Sequence, residues 1–181
     1  AAEADRRQEA LRAGGAGLMR AAAGLLALQL PAQALACPMS LALYTEPMLG
    51  AELRFHAAAP WEQSGMVKHV MELALPDGRI LWGEIGENMG ISRDEGRLYW
   101  GCDRPGPDDA PLDEAQIAEC QVWSGVVYAL QGGKADFTPP PDGRAPESLI
   151  LSDIGRQLRY AVMDGPEGEI WDQFTLSGCA E

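Results

Sequence analysis

The chain predicts a mainly β domain, an antiparallel sandwich or partly closed barrel with one or two short helices. Three observations carry this expectation. Apolar residues alternate with polar ones at period two over Ala51–Ala57 and Met66–Leu75. Turn signals rich in Pro, Asp and Gly punctuate the chain at short intervals. No long helical pattern alternates with the strands, which argues against a doubly wound parallel sheet.

In order, Ser40–Thr45 is a short apolar strand ended by Glu46-Pro47. In the next strand Leu53 and Phe55 alternate against Glu52, Arg54 and His56. Met66–Leu75 sets Val67, His69, Met71, Leu73 and Leu75 on one face, with Lys68, Val70, Glu72 and Ala74 on the other. Pro76-Asp77-Gly78-Arg79 then supplies a fixed φ and a positive one, turning the chain into Ile80–Ile85. Asp94-Glu95-Gly96 is a second turn, leading to Arg97–Cys102. Asp113 is positioned to cap a helix over Glu114–Glu119.

Val122–Leu130 is a strand interrupted by Ser124-Gly125, and Gln131–Lys134 turns it toward Ala135–Thr138. Pro139–Pro141 with Asp142-Gly143 predicts a stiff external loop. Leu149–Leu151 is a buried strand. Ser152 is then placed to cap a helix from Asp153, with Ile154, Leu158, Ala161 and Val162 on one face; Gly155 weakens it. Asp164–Gly168 is a loop, and Ile170–Leu176 a final strand leading to Cys179.

Upstream of this domain, Met19–Ala36 has the three parts of a secretory signal. Arg20 is the basic start and Ala21–Leu30 the apolar centre, too short to span a bilayer, which takes about 20 residues. Ala34-Leu35-Ala36 is a small-x-small site that predicts cleavage between Ala36 and Cys37. Residues 1–18, with Arg6, Arg7, Glu9 and Arg12, read as an upstream extension outside the fold. Residues 37–181 are then one secreted domain, periplasmic or extracellular, with no membrane-spanning segment.

The 181-residue chain holds 14 basic and 27 acidic side chains, and residues 37–181 keep 10 and 24 of them, a net charge of −14. Such a field repels nucleic acid and anionic lipid and permits cationic partners.

Cys37, Cys102, Cys120 and Cys179 form an even set, which in an exported domain implies two disulfides. The favoured pairing is Cys102 with Cys120, closing the Pro/Asp-rich loop 103–111, and Cys37 with Cys179, tying the two ends together. Chain entropy gives about 3 kcal/mol for the short loop and about 5 kcal/mol for the long one. The rival use of Cys37 is lipidation directly after the signal, which would anchor the protein and leave three cysteines.

No motif that carries chemistry stands out. His56 and His69 lack a Gly-x-Ser-x-Gly partner, and Ser64 and Ser124 lack the context of a nucleophile. His56 is expected on a strand surface and His69 half-buried. With Met39, Met48, Met66 and Met71 they could make a soft copper site, but no spacing supports one; Met66, Met71 and Met163 are expected as core filler. Asp103, Asp108, Asp109, Asp113 and Glu114 lack the order of a calcium loop. No metal or cofactor is therefore assigned.

Trp61, Trp82, Trp100, Trp123 and Trp171 read mainly as core. Trp82, Tyr99 and Trp100, on neighbouring strands, form the candidate binding surface. The expected role is non-enzymatic binding of a protein or small ligand in the cell envelope. The alternatives are a secreted hydrolase using carboxylates or His69, and a lipid-anchored envelope protein.

Overall fold

The computed structural model describes residues 37–63, 65–87, 89, 92–163 and 169–180. The signal segment, the upstream extension, Ser64 and the 164–168 loop lie outside the described residues. The strands are β1 (Ala42–Thr45), β2 (Glu52–His56), β3 (Val67–Ala74), β4 (Ile80–Gly86), β5 (Glu95–Tyr99), β6 (Gln121–Gln131), β7 (Lys134–Asp136), β8 (Ser148–Leu151) and β9 (Gln173–Cys179). The helices are α1 (Glu114–Cys120) and α2 (Ile154–Ala161), with a 3-10 turn at Met39–Leu41 where the sequence suggested a strand start.

Each strand pairs antiparallel with its neighbours in the order β5-β4-β3-β2-β1-β9-β8-β6, and β6 pairs back onto β5. The sheet therefore closes into an eight-stranded, up-and-down barrel rather than a sandwich. β7 hangs outside the ring as a hairpin on β6, short and fully exposed. Register shifts at Leu43/Tyr44, Val67/His69 and Leu98/Tyr99 supply the local bending that a small ring requires. The connections after β1, β3, β5 and β8 lie at one rim, here the upper; those after β2, β4 and β6 lie at the lower rim with both ends of the domain.

The interior is filled by side chains. Tyr44, Leu53, Phe55, Met71, Leu73, Leu81, Ile85, Leu98, Trp123, Leu149 and Phe174 are all fully buried. Trp123 needs two glycines. A Cβ on Gly96 would sit 2.6 Å from its ring, and one on Gly125 would sit 2.5 Å from the Ser152 carbonyl that accepts the Trp123 indole N–H at 3.0 Å. The Ser124-Gly125 interruption in the β6 pattern is thus where the largest core side chain finds room. Trp123 is the only tryptophan in the core; Trp61, Trp100 and Trp171 are exposed and Trp82 is half-buried. Met71 does fill the core and Met163 packs against it, but Met66 is exposed.

α2 closes the upper rim. Ile154, Leu158 and Val162 are buried as its spacing predicts, while Ala161 is exposed. Gly155 belongs in this helix because a Cβ there would meet the Ile170 carbonyl at 2.0 Å. Asp153, not Ser152, occupies the N-cap position. Its φ of 59° turns the carboxylate away from a capping bond and onto Arg156. Glu46, fully buried, holds the same rim together: its two oxygens accept the N–H groups of Met48 (2.8 Å), Leu49 (2.7 Å) and Trp171 (3.2 Å). A buried carboxylate is tolerable when several donors replace its water.

At the lower rim the proline-rich loop is external, with Pro140, Pro141 and Asp142 exposed, and it is anchored at its start. Asp94 Oδ2 accepts the Thr138 N–H (2.9 Å) and hydroxyl (2.5 Å). Lys68 Nζ bridges Asp94 (3.2 Å) and the Thr138 carbonyl (2.6 Å). His69 is buried, not half-buried. Its ring packs edge-on against Phe55, and its Nε2–H donates to the Pro139 carbonyl at 2.9 Å.

Burial, and then the neighbouring Lys68 charge, lower the His69 pKa to about 4. The folded state therefore resists protonating a group that the unfolded chain protonates near 6.5, so stability is full above pH 6.5 and is lost as pH falls toward 4. Urea unfolding at pH 7 and pH 5 should show a loss of about 2 kcal/mol that disappears in His69→Gln. An equal slope in the variant would contradict this assignment.

Candidate functional site

Residues 100–120, the β5–β6 connection, leave the upper rim and fold back along the outer wall of the barrel. They are fixed there at several points. Cys102 is bonded to Cys120, with Cα atoms 5.8 Å apart. The Trp100 N–H donates to the Cys120 carbonyl at 2.8 Å, and the Trp82 indole N–H donates to the Cys102 carbonyl at 3.0 Å. Within the flap, Asp113 caps α1 with a reciprocal capping box through Gln116. Arg104 reaches across to the lower rim, where its guanidinium pairs with Glu62 at 2.5 Å and donates to His56 Nε2 at 3.1 Å. Glu62 also accepts the Ala59 N–H at 2.7 Å.

Beneath this flap lies a groove of about 250 Å³. Its floor is the outer face of β3–β4–β5, with Val70, Trp82, Glu84 and Tyr99; Trp61 stands at one side, and Arg104, Pro105 and Ile117 lie on the other. Three prolines, at 105, 107 and 111, stiffen the covering segment. Val70, on the face opposite Met71 and Leu73 as the strand pattern predicts, is buried there beneath the flap. Trp82 and Tyr99 are directly paired across β4 and β5, their rings stacked at 4.2 Å and 23°. Burial, reinforced by the Glu84 charge, pushes the Tyr99 phenol up to about 12, so it is neutral at physiological pH.

Of the predicted surface, Trp82 and Tyr99 line the groove, while Trp100 lies past the end of β5 and outside the lining. The three do not form one row. The sequence reading missed Trp61, Glu62, Glu84 and Arg104, which come from separate segments; the prolines inside the Cys102–Cys120 loop were the available sign of a rigid cover. His56 is half-buried under Arg104 rather than free on the surface. His69 faces the barrel interior, remote from groove chemistry. Ser124 donates to Glu95 at 3.1 Å rather than to a histidine.

The candidate metal residues also separate. Met39 and Met71 are in the core and Met48 and Met66 on the surface. In the acidic loop Asp109 accepts the Gly106 N–H and Asp113 caps α1. Among the described residues no three His, Cys, Asp or Glu side chains are grouped to hold a metal ion.

At the closing seam Cys37 is bonded to Cys179, Cα atoms 5.7 Å apart. Both disulfides are the pairs that the spacing favours. No protein-family model matches this chain, and no curated protein or solved structure is detectably similar to it.

The short disulfide closes a separation of 18 residues. Replacing both Cys102 and Cys120 by Ala should cost about 3 kcal/mol of stability. It should also raise the exchange rate of the Trp82 indole N–H, whose acceptor is the Cys102 carbonyl. An indole as protected as in the parent would show that the flap is held without the disulfide.

Proposed function

We propose that this chain is an exported, disulfide-stabilised binding domain that takes a ligand or protein partner in the groove beneath the flap, without chemistry of its own. The observation that carries the reading is the groove itself. A stacked Trp–Tyr pair, an exposed Trp61 and a proline-stiffened cover are held open outside a barrel whose interior is filled. Concave sites with aromatic walls and a few polar groups are the usual form of binding sites.

Two disulfides fit an oxidising compartment. Among the described residues no helix is long and apolar enough to cross a membrane. The engagement of the Cys37 sulfur with Cys179 favours a soluble domain over a lipid-anchored one, since one sulfur cannot carry both bonds. A binding role is favoured over hydrolysis because the His69 Nε2–H is held by the Pro139 carbonyl and Glu62 by Arg104 and a backbone N–H.

A photo-crosslinking residue placed at Trp61 in the exporting cell should give defined adducts. The same residue at Tyr160, exposed on α2 and outside the groove, should give none. No adduct at 61, or the same adducts at both positions, would overturn the groove as the binding site.

A further inference from the structure

The groove has a charge as well as a shape. Its lining holds three carboxylates, Glu62, Glu84 and Asp109, against one guanidinium, Arg104. Arg104 is already committed to Glu62 and His56. Asp109 turns one oxygen onto the Gly106 N–H at 2.8 Å. Glu84 is different. Its nearest cation, Arg97, lies at 3.6 Å, too far for a hydrogen bond, and Arg97 is shared with Glu95 at 3.3 Å. Glu84 therefore presents an under-compensated carboxylate on a wall that also carries Trp82 and Tyr99, inside a protein whose folded part is strongly acidic.

We propose that the groove receives the cationic side chain of a protein partner, an arginine or lysine, with Glu84 as its counter-ion. This rests on the groove being the binding site. Three features select that occupant. The volume, about 250 Å³, lies below the roughly 300–1,000 Å³ of sites that enclose a drug-sized ligand and suits a single long side chain. The apolar walls, Val67, Val70 and the prolines, match the methylene stem of such a residue. Indole faces beside a carboxylate attract a guanidinium or ammonium head by cation–π and Coulomb forces together. An anionic or neutral side chain would gain from the walls alone and meet an unfavourable field at Glu84.

The test uses the full oxidised chain, with the indole N–H resonances of Trp61 and Trp82 followed by NMR. Acetyl-Gly-Arg-Gly-amide is titrated in parallel with the citrulline analogue, which keeps the shape and removes the charge. The arginine peptide should shift both indoles saturably and bind at least about fivefold more tightly than the citrulline one. Binding should weaken by about fivefold in Glu84→Gln and should fall with added salt. Trp61→Ala should weaken it as well, while the far-exposed Trp171 indole stays unmoved.

Equal affinity for citrulline, or an unchanged affinity in Glu84→Gln, would overturn the cationic occupant and leave groove binding intact. Absence of saturable shifts at Trp61 and Trp82 would also overturn it. The groove reading itself is judged separately, by the adducts at position 61.

Discussion

The structure depends on a single closure: the first strand of the barrel pairs with the last. β1 and β9 meet with Ala42 opposite Cys179 and Tyr44 opposite Leu176, and the Cys37–Cys179 bond clamps the end of that seam, joining the last residue of β9 to the segment before β1. With the seam made, none of the eight ring strands has a free edge to offer another chain. An eight-stranded ring is also narrow enough for its own side chains to fill. That is why the interior here is filled by Trp123, Tyr44, Phe55 and Phe174, and why the groove lies on the outer wall.

The groove follows from that constraint. The β5–β6 connection, residues 100–120, is as long as the β8–β9 connection, residues 152–172, but only the latter sends side chains such as Ile154 and Leu158 into the core. The β5–β6 connection lies down on the wall of β3–β4–β5 and buries Val70 and Tyr99 there. The Trp82 indole N–H on β4 and the Glu62 carboxylate in the β2–β3 connection hold it there from outside the flap. The flap costs little ordering because its disulfide, its prolines and the α1 cap restrict it before it docks.

Local patterns and the two cysteine pairings were legible, and the non-local strand pairings were not. The β3–β4 hairpin could be read because its alternation and its Pro-Asp-Gly-Arg turn are contiguous, and the Asp113 cap could be read for the same reason. The β1–β9 and β5–β6 pairings join residues far apart in the chain, so the sequence allowed a sandwich as easily as a ring. Val70 obeyed its period yet changed its surroundings, because period two says which face a residue is on and not what covers that face. Ser152 failed as a cap because Asp153 adopts a left-handed conformation that no local signal announced. The tryptophans divided on geometry alone: Trp123 found the space left by Gly96 and Gly125, and Trp61 and Trp171 did not enter the core. Trp82 and Tyr99 were adjacent in the predicted hairpins, whereas Glu84, Arg104 and Trp61 come together only once the flap has folded back.

The most direct measurement of this account is the seam itself. Cross-strand nuclear Overhauser contacts should link Leu43 with Gly178 and Tyr44 with Leu176, and also Leu98 with Trp123 across β5 and β6. The β1 and β9 amides should then be as protected from hydrogen exchange as those of β3 and β4. Absent β1–β9 contacts, with amides on those strands exchanging as an open edge does, would contradict the closed barrel and everything derived from it.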